Sequence, residues 1–257
     1  MLRRLVRQYG LAALCGSVVL ACEVLLRSGA ANPALLGYSI LLLVCLHRAA
    51  FATPLERPLS LAVAVIALMR VAGLTMPIRV FDPGYRYALV AVPALVAAGI
   101  AVRRAGYSRS DVGLVVTAEA LVSCGVVIPL GVALGLVAHQ TTSAIPIVSR
   151  PVFDEVALPA LALALSTSIP EELVFRGLLQ RASMSQLGPL VGMAFAVSIF
   201  VAVSAASWTP AFLAIVALCG FLFGQLTVIS RSILPAVIGH ALFNVTFLVA
   251  APFVLQG

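Results

Sequence analysis

The sequence predicts an all-α fold, a polytopic transmembrane bundle of about eight to nine helices. Of the 257 residues, 62% are hydrophobic and only 10% carry a charge, whereas an average soluble domain is about 25% charged. Long apolar segments recur along the chain, most of them near the roughly 20 residues that a helix needs to cross a bilayer. The loops between them are too short for a soluble domain, so we expect one helical bundle.

Nine apolar segments define the predicted spans, with ends placed to within about 2–4 residues. They cover residues 8–26, 34–52, 59–77, 86–102, 113–138, 152–175, 188–207, 211–229 and 232–253. The arginine-rich residues before the first segment resemble the n-region of a signal peptide. The apolar stretch that follows is too long for an h-region, so we interpret it as an uncleaved first span.

The arginines predict the orientation of the bundle in the membrane. All 16 basic residues are arginine, and with the N-terminus inside, eleven lie in inner loops and four in outer loops. Because cytoplasmic loops carry the excess of positive charge, we expect a cytoplasmic N-terminus and a C-terminus outside. The net charge of +7 does not indicate nucleic-acid binding, since the arginines form no basic stripe interleaved with aromatic residues.

Polar residues divide the chain into two predicted parts. Residues 1–112 form an N-terminal region of four spans, in which Arg70 is the main polar group. Residues 113–257 form a core of five spans that contains nearly all the unusual polar residues. The five cysteines lie in the predicted spans without a Cys-x-x-Cys pair, which indicates apolar packing rather than a disulfide or zinc site. We therefore expect no cofactor and no metal.

The first candidate site is a charged cluster in the sixth segment. A charge in hydrocarbon costs at least ~2.5–3.5 kcal/mol on insertion scales, and two adjacent carboxylates oppose each other's ionisation. Glu172 and Arg176 are four residues apart and can pair on one helical face, whereas Glu171 is rotated from Glu172 by about 100°. We interpret Glu172 as structural and Glu171 as the chemical carboxylate. Pro170 predicts a kink beside them.

The ninth segment contributes His240 and Asn244, which also share a helical face. His240 and Glu171 each lie about 12–15 Å from the predicted inner end of their span, so we expect the three side chains to line one cavity, within roughly 10 Å of one another. A carboxylate can activate water as a general base, and an imidazole and an amide can hold an oxyanion. Taken singly, each residue also fits a packing role between helices.

Together these motifs carry a family resemblance. The motifs Glu171-Glu172-x-x-x-Arg176 and His240-x-x-x-Asn244 resemble those of the CAAX protease and bacteriocin-processing (CPBP) family of intramembrane glutamic endopeptidases. The resemblance implies a bacterial hydrolase of the cytoplasmic membrane that cuts a peptide or a lipid-modified protein near the inner face. It also implies that Glu171 activates water and that His240 and Asn244 hold the oxyanion. In the same way, it implies that Glu172 and Arg176 shape the site.

One motif of that family is incomplete here, although the resemblance covers about residues 155–250. In the family a phenylalanine is followed, four residues later, by a histidine that helps the first glutamate to activate water. Phe200 fits the phenylalanine, but Ser204 occupies the position of the histidine. Because a serine hydroxyl is a poor base, we expect a slow protease, an altered site geometry or a non-catalytic descendant.

Two other classes of function stay open on the sequence alone. The first is a pseudoprotease or scaffold that binds a membrane client. The second is a secondary transporter, in which Arg70, Glu119 and Glu171 would form an ion or proton route, although no inverted repeat supports it. Substitution of Glu171 separates protease from scaffold, because a protease would lose its product whereas a scaffold would keep its client.

Overall fold

The described part of the chain is a bundle of helices. The computed structural model describes residues 2–76, 86–142, 147–206 and 209–255, and within these ranges it contains no β-strand. The helices are α1 (Leu2–Arg27), α2 (Ala31–Phe51), α3 (Arg57–Thr75), α4 (Arg86–Arg104), α5 (Ala118–Gln140), α6 (Phe153–Leu187), α7 (Pro189–Ala202), α8 (Pro210–Ser230) and α9 (Leu234–Val254). Among these described helices, all except α7 are long and apolar enough to cross a membrane. The predicted all-α polytopic fold is confirmed.

Helix α3 links the first four helices to the rest of the bundle. Nearly all of its first half is buried, because it packs against α2 and α4 and also against α6. Because α3 is central, Arg70 in its C-terminal part lies towards the core of the bundle. Arg70 is not the only notable polar group of this region, since Glu23 of α1 is buried and pairs with it.

Several predicted spans differ from the observed helices, and the span predicted at 152–175 continues to Leu187 as α6. The span predicted from 113 begins at Ala118, because Gly113 adopts a left-handed φ of 72° and Thr117 caps α5 by accepting a hydrogen bond from the amide of Ala120. The loop before α5 is fixed to the loop before α9, where Ile233 donates to the carbonyl of Gly113 over 3.0 Å. The span predicted at 188–207 contains only the 14-residue helix α7, which is about 21 Å long.

Glycines hold α5 and α9 unusually close together. A Cβ atom on Gly131 would lie 2.6 Å from the carbonyl oxygen of Gly239, and one on Gly135 would lie 2.8 Å from that of Phe243. Small residues at such positions let membrane helices approach backbone to backbone. Because Gly239 precedes His240 directly, this contact fixes the register and rotation of α9 where its polar residues lie.

Helix α6 is a continuous helix with two π-helical stretches. Ala164–Ser168 and Leu173–Gln180 are π-helical, and the α-helical turn Ile169–Glu172 lies between them. This turn begins next to Pro170, which lacks the amide hydrogen that a regular helix would use there. Single π-turns occur frequently at functional sites. In α6 they flank the two glutamates.

Candidate functional site

A cavity of about 410 Å³ brings the predicted polar residues together. It is lined by Arg70, Tyr87, Leu163, Thr167, Glu171, Phe200, Val203, Ser204, Phe212, Val216, Cys219, Phe223, His240, Phe243, Asn244, Phe247 and Leu248. The structure thus places Glu171, His240 and Asn244 in the lining of one cavity. Nε2 of His240 is 3.9 Å from Oε2 of Glu171. The rest of the lining is largely aromatic and aliphatic, which suits a peptide with apolar side chains.

The two adjacent glutamates have different environments. The side chain of Glu171 is 33% exposed and faces the cavity, whereas that of Glu172 is 0% exposed. Oε2 of Glu172 forms an ion pair with Nε of Arg176 at 3.0 Å, and Oε1 is hydrogen-bonded to Nδ1 of His240 at 2.7 Å. The sequence indicated the first of these contacts. It did not indicate the second, because His240 lies on another helix.

The contact with Glu172 determines how His240 can act. An ionised carboxylate only accepts hydrogen bonds, so Nδ1 of His240 carries a proton and donates it. Nε2 is then the nitrogen that faces Glu171. Its distance of 3.9 Å from the Glu171 carboxylate is too long for a direct hydrogen bond and suits a single bridging water. The pair can therefore hold a water molecule between a carboxylate and an imidazole.

Phe200 forms the packing centre of the site. The guanidinium carbon of Arg176 lies 4.2 Å from the centre of its ring, in cation–π contact. The same ring makes T-shaped contacts with Phe175 and His240, at 5.0 Å and 6.2 Å between centroids. Nη1 and Nη2 of Arg176 are buried and have no hydrogen-bond partner among the described residues. Phe200 thus stabilises the cation that holds Glu172.

Asn244 is oriented by a residue that the sequence analysis missed. Its Nδ2 donates to the hydroxyl of Thr167 over 2.9 Å, and Thr167 in turn donates to the carbonyl of Leu163 over 2.7 Å. The side-chain amide has two N–H groups, so one remains for the cavity. Thr167 lies four residues before Glu171, and this spacing on a helical face was the signal that could have identified it.

Ser204 lies in the cavity wall just beyond the end of α7. Its hydroxyl makes a long hydrogen bond of 3.5 Å to the carbonyl of Phe200. Glu119, in contrast, is exposed in the first turn of α5 and is not part of the cavity lining. Of the three residues in the transporter hypothesis, Arg70 and Glu171 therefore share the cavity and Glu119 does not.

A second cavity, of about 560 Å³, is lined by Arg176 and by residues of the loop before α5. In it Asp111 pairs with Arg181 at 2.7 Å, and Arg181 also lies over the ring of Tyr107. Hydrogen bonds from the backbone and the hydroxyl of Ser108 hold the pKa of the Asp111 carboxyl below its ordinary value. Glu171, His240 and Asn244 do not line this cavity, so the first cavity is the candidate active site.

Comparison with known proteins supports this choice. Residues 153–246 match a family model described as type II CAAX prenyl endopeptidase Rce1-like. The matched segment includes Glu171, Glu172, Arg176, Phe200, Ser204, His240 and Asn244. No curated protein and no solved structure matches the chain. The four N-terminal helices and α5 lie outside the matched segment.

Proposed function

We propose that this protein is a glutamic peptidase that uses water activated by Glu171. The premise is that residues 153–246 belong to the Rce1-like, CPBP-type family of intramembrane endopeptidases. The observation that carries the proposal is the contrast between the two glutamates. Glu171 faces the cavity beside Nε2 of His240, whereas Glu172 is enclosed by Arg176 and His240. Only Glu171 can therefore meet a substrate.

In the proposed reaction Glu171 removes a proton from water, and the water oxygen attacks the carbonyl carbon of the scissile peptide bond. The carbonyl oxygen becomes an oxyanion in a tetrahedral intermediate. Glu171 then delivers the proton to the departing amide nitrogen, so that the C–N bond breaks and the carboxylate is regenerated. One carboxyl group thus acts in turn as base and as acid.

The oxyanion would be held by Asn244 and His240. Thr167 orients the amide of Asn244, which leaves one N–H for a substrate oxygen, and fixed donors of this kind stabilise a transition state without reorganisation. His240 already donates through Nδ1 to Glu172. Nε2 can therefore donate to the oxyanion only when the ring carries both protons.

The proposed substrate is a peptide or a lipid-modified protein that enters the cavity from the membrane, near the cytoplasmic face. The apolar lining of the cavity and the arginine-rich loops predicted at the inner side support this location. The name of the matched family model, a prenyl endopeptidase, makes a prenylated peptide the first substrate to test.

A second candidate function is a scaffold that binds a membrane client without cutting it. The observation that favours it is Ser204, which stands in the cavity wall where the resembled family has a histidine. A scaffold would need the same cavity and the same packing of Phe200, but no base.

The test compares Glu171→Gln with Glu119→Gln in purified protein reconstituted into lipid nanodiscs. Cleavage of a prenylated peptide is measured by mass spectrometry. Because a general base typically contributes ~10²–10⁴-fold, Glu171→Gln should reduce the rate by at least about 10²-fold. Glu119→Gln removes an exposed carboxylate outside the cavity and should leave the rate unchanged. Full activity of Glu171→Gln would disprove the mechanism, and wild-type protein that binds without cutting would favour the scaffold.

A further inference from the structure

The active-site cavity contains a cation that comes from outside the matched segment. Arg70, on α3, lines the cavity together with Glu171 and His240, and its side chain is 26% exposed. An ionisable residue at membrane depth is costly and commonly marks a functional path. The role of Arg70 therefore has to be sought in the cavity rather than in the packing of the first four helices.

Two buried residues hold Arg70 in place. Its Nη2 lies 2.7 Å from Oε1 and 2.9 Å from Oε2 of Glu23, whose side chain is 0% exposed. The buried hydroxyl of Tyr38 donates to the same carboxylate, and the guanidinium lies 5.8 Å from the centre of the Tyr38 ring. Buried ion pairs add little to stability compared with apolar packing. The contacts of Glu23 and Tyr38 are better explained by a role in orienting the guanidinium of Arg70.

Part of the guanidinium stays available to a ligand. Arginine has five N–H donors in a rigid plane, and only Nη2 is used by Glu23. Among the described residues the buried Nε has no hydrogen-bond partner, and the side chain keeps 26% of its surface exposed. Tyr38 takes up part of the negative charge of Glu23, so the guanidinium is less fully neutralised by that carboxylate. A planar cation with free donors in a cavity suits the recognition of a carboxylate.

We propose that Arg70 binds a carboxylate group of the peptide substrate and thereby selects it. This inference rests on the proposed peptide-binding function of the cavity. The carboxylate has two possible sources, the free C-terminus of the peptide or an acidic side chain within it. In either case the N-terminal helices contribute specificity to a catalytic centre that belongs to α6 and α9, and Glu23 and Tyr38 act as positioning residues for Arg70.

The experiment measures binding in the Glu171→Gln background, so that it works whether or not the protein cuts peptides. Three labelled prenylated peptides are compared by fluorescence anisotropy: one with a free C-terminal carboxylate, one with a C-terminal carboxamide, and one carboxamide with an internal glutamate. Because hydrogen bonds to charged groups are among the stronger ones in proteins, the protein should bind at least one carboxylate-bearing peptide about 10-fold or more tightly than the neutral peptide. The preferred peptide identifies the source of the carboxylate.

Substitution of Arg70 should remove this preference without affecting the neutral peptide. We expect Arg70→Gln to bind all three peptides equally, Arg70→Lys to retain part of the preference, and the exposed control Arg103→Gln to retain all of it. If Arg70→Gln folds poorly because Glu23 is left unpaired, the double variant Glu23→Gln/Arg70→Gln takes its place, since it leaves no unpaired buried charge. It should also bind all three peptides equally. With Glu171 restored, Arg70→Gln should raise KM for the preferred peptide and leave kcat nearly unchanged.

Two outcomes would overturn the proposal. One is a wild-type cavity that binds the charged and neutral peptides equally. The other is an Arg70→Gln protein that loses affinity for all three peptides by the same factor, which would indicate a structural role. Neither outcome depends on catalysis, so a failure of the peptidase mechanism is detected separately, by the cleavage assay on Glu171.

Discussion

Neighbouring residues in α6 differ more in environment than the sequence suggests. Glu171 and Glu172 are chemically identical and adjacent, yet one faces the cavity and the other is enclosed. The rotation of about 100° between them was enough to predict that they differ, and the i,i+4 spacing was enough to predict Glu172–Arg176. The bond between Glu172 and His240 could not be predicted, because it depends on how α6 and α9 are packed.

At the residue scale, Ser204, where the resemblance leads us to expect a histidine, gives a gain-of-function prediction. Ser204 lines the same cavity as Glu171, so an imidazole there could help to activate water. We expect Ser204→His to increase peptide cleavage by about 10²–10⁴-fold, the usual range for a general base. The measurement is the initial rate of cleavage of a prenylated peptide, compared with that of wild type.

The matched control for Ser204→His is the double variant Ser204→His/Glu171→Gln, which keeps the new imidazole and removes the carboxylate. The gain should disappear in the double variant. If neither wild type nor Ser204→His cuts the peptide, although both are folded, the protein is better described as a scaffold.

At the scale of helices, substitutions in the close contact between α5 and α9 should impair the protein as much as substitutions of the active-site residues. A Cβ on Gly131 would lie 2.6 Å from the backbone of α9, and such overpacking typically costs about 1–3 kcal/mol. We expect Gly131→Ala to lower the thermal stability and to reduce cleavage, because α9 must shift with His240 and Asn244. Thermal unfolding in detergent and the peptide assay give the two readouts.

Gly125 supplies the control on the same helix. A Cβ there would meet nothing within 4 Å, and alanine is favoured over glycine in a helix by about 1 kcal/mol. Gly125→Ala should therefore be neutral or slightly stabilising. Equal effects of the two substitutions would show that the α5–α9 contact does not position the site.

Helix existence could be predicted from composition, but helix ends and irregularities could not. The start of α5 depends on a left-handed Gly113 and a Thr117 cap, which are local features inside a continuous apolar run. The buried Glu23 was overlooked because it is a single carboxylate in a span, and its partners Tyr38 and Arg70 lie on two other helices. The π-helical stretches of α6 have no distinct composition.

At the scale of the whole molecule, the short helix α7 makes the number of membrane crossings a question that experiment can answer. Its 14 residues extend about 21 Å, less than the roughly 30 Å of a hydrocarbon core. If α7 and the following residues complete a crossing, the two termini lie on opposite sides. If they turn back, the termini lie on the same side.

We expect the crossing to be complete, as the arginine distribution predicts. A cysteine introduced at the exposed Leu255 should then react with a membrane-impermeant maleimide added from outside intact cells. A cysteine at Arg103 should react only after the membrane is opened. The five native cysteines are buried, so their background labelling should be low. Labelling of both sites from the same side would reduce the count to eight crossings.

The π-helical stretches of α6 also restrict how this sequence can evolve. Each π-turn holds one more residue per hydrogen-bonded ring than an α-turn, so loss of one residue within Leu173–Gln180 can be absorbed by conversion of a π-turn into an α-turn. Gln180 can then keep the carbonyl of Gly224, to which it donates over 3.0 Å, whereas one residue added to a regular turn would rotate all that follows by about 100° relative to Glu171. Descendants of this chain should therefore tolerate the loss of one residue in this stretch better than the gain of one.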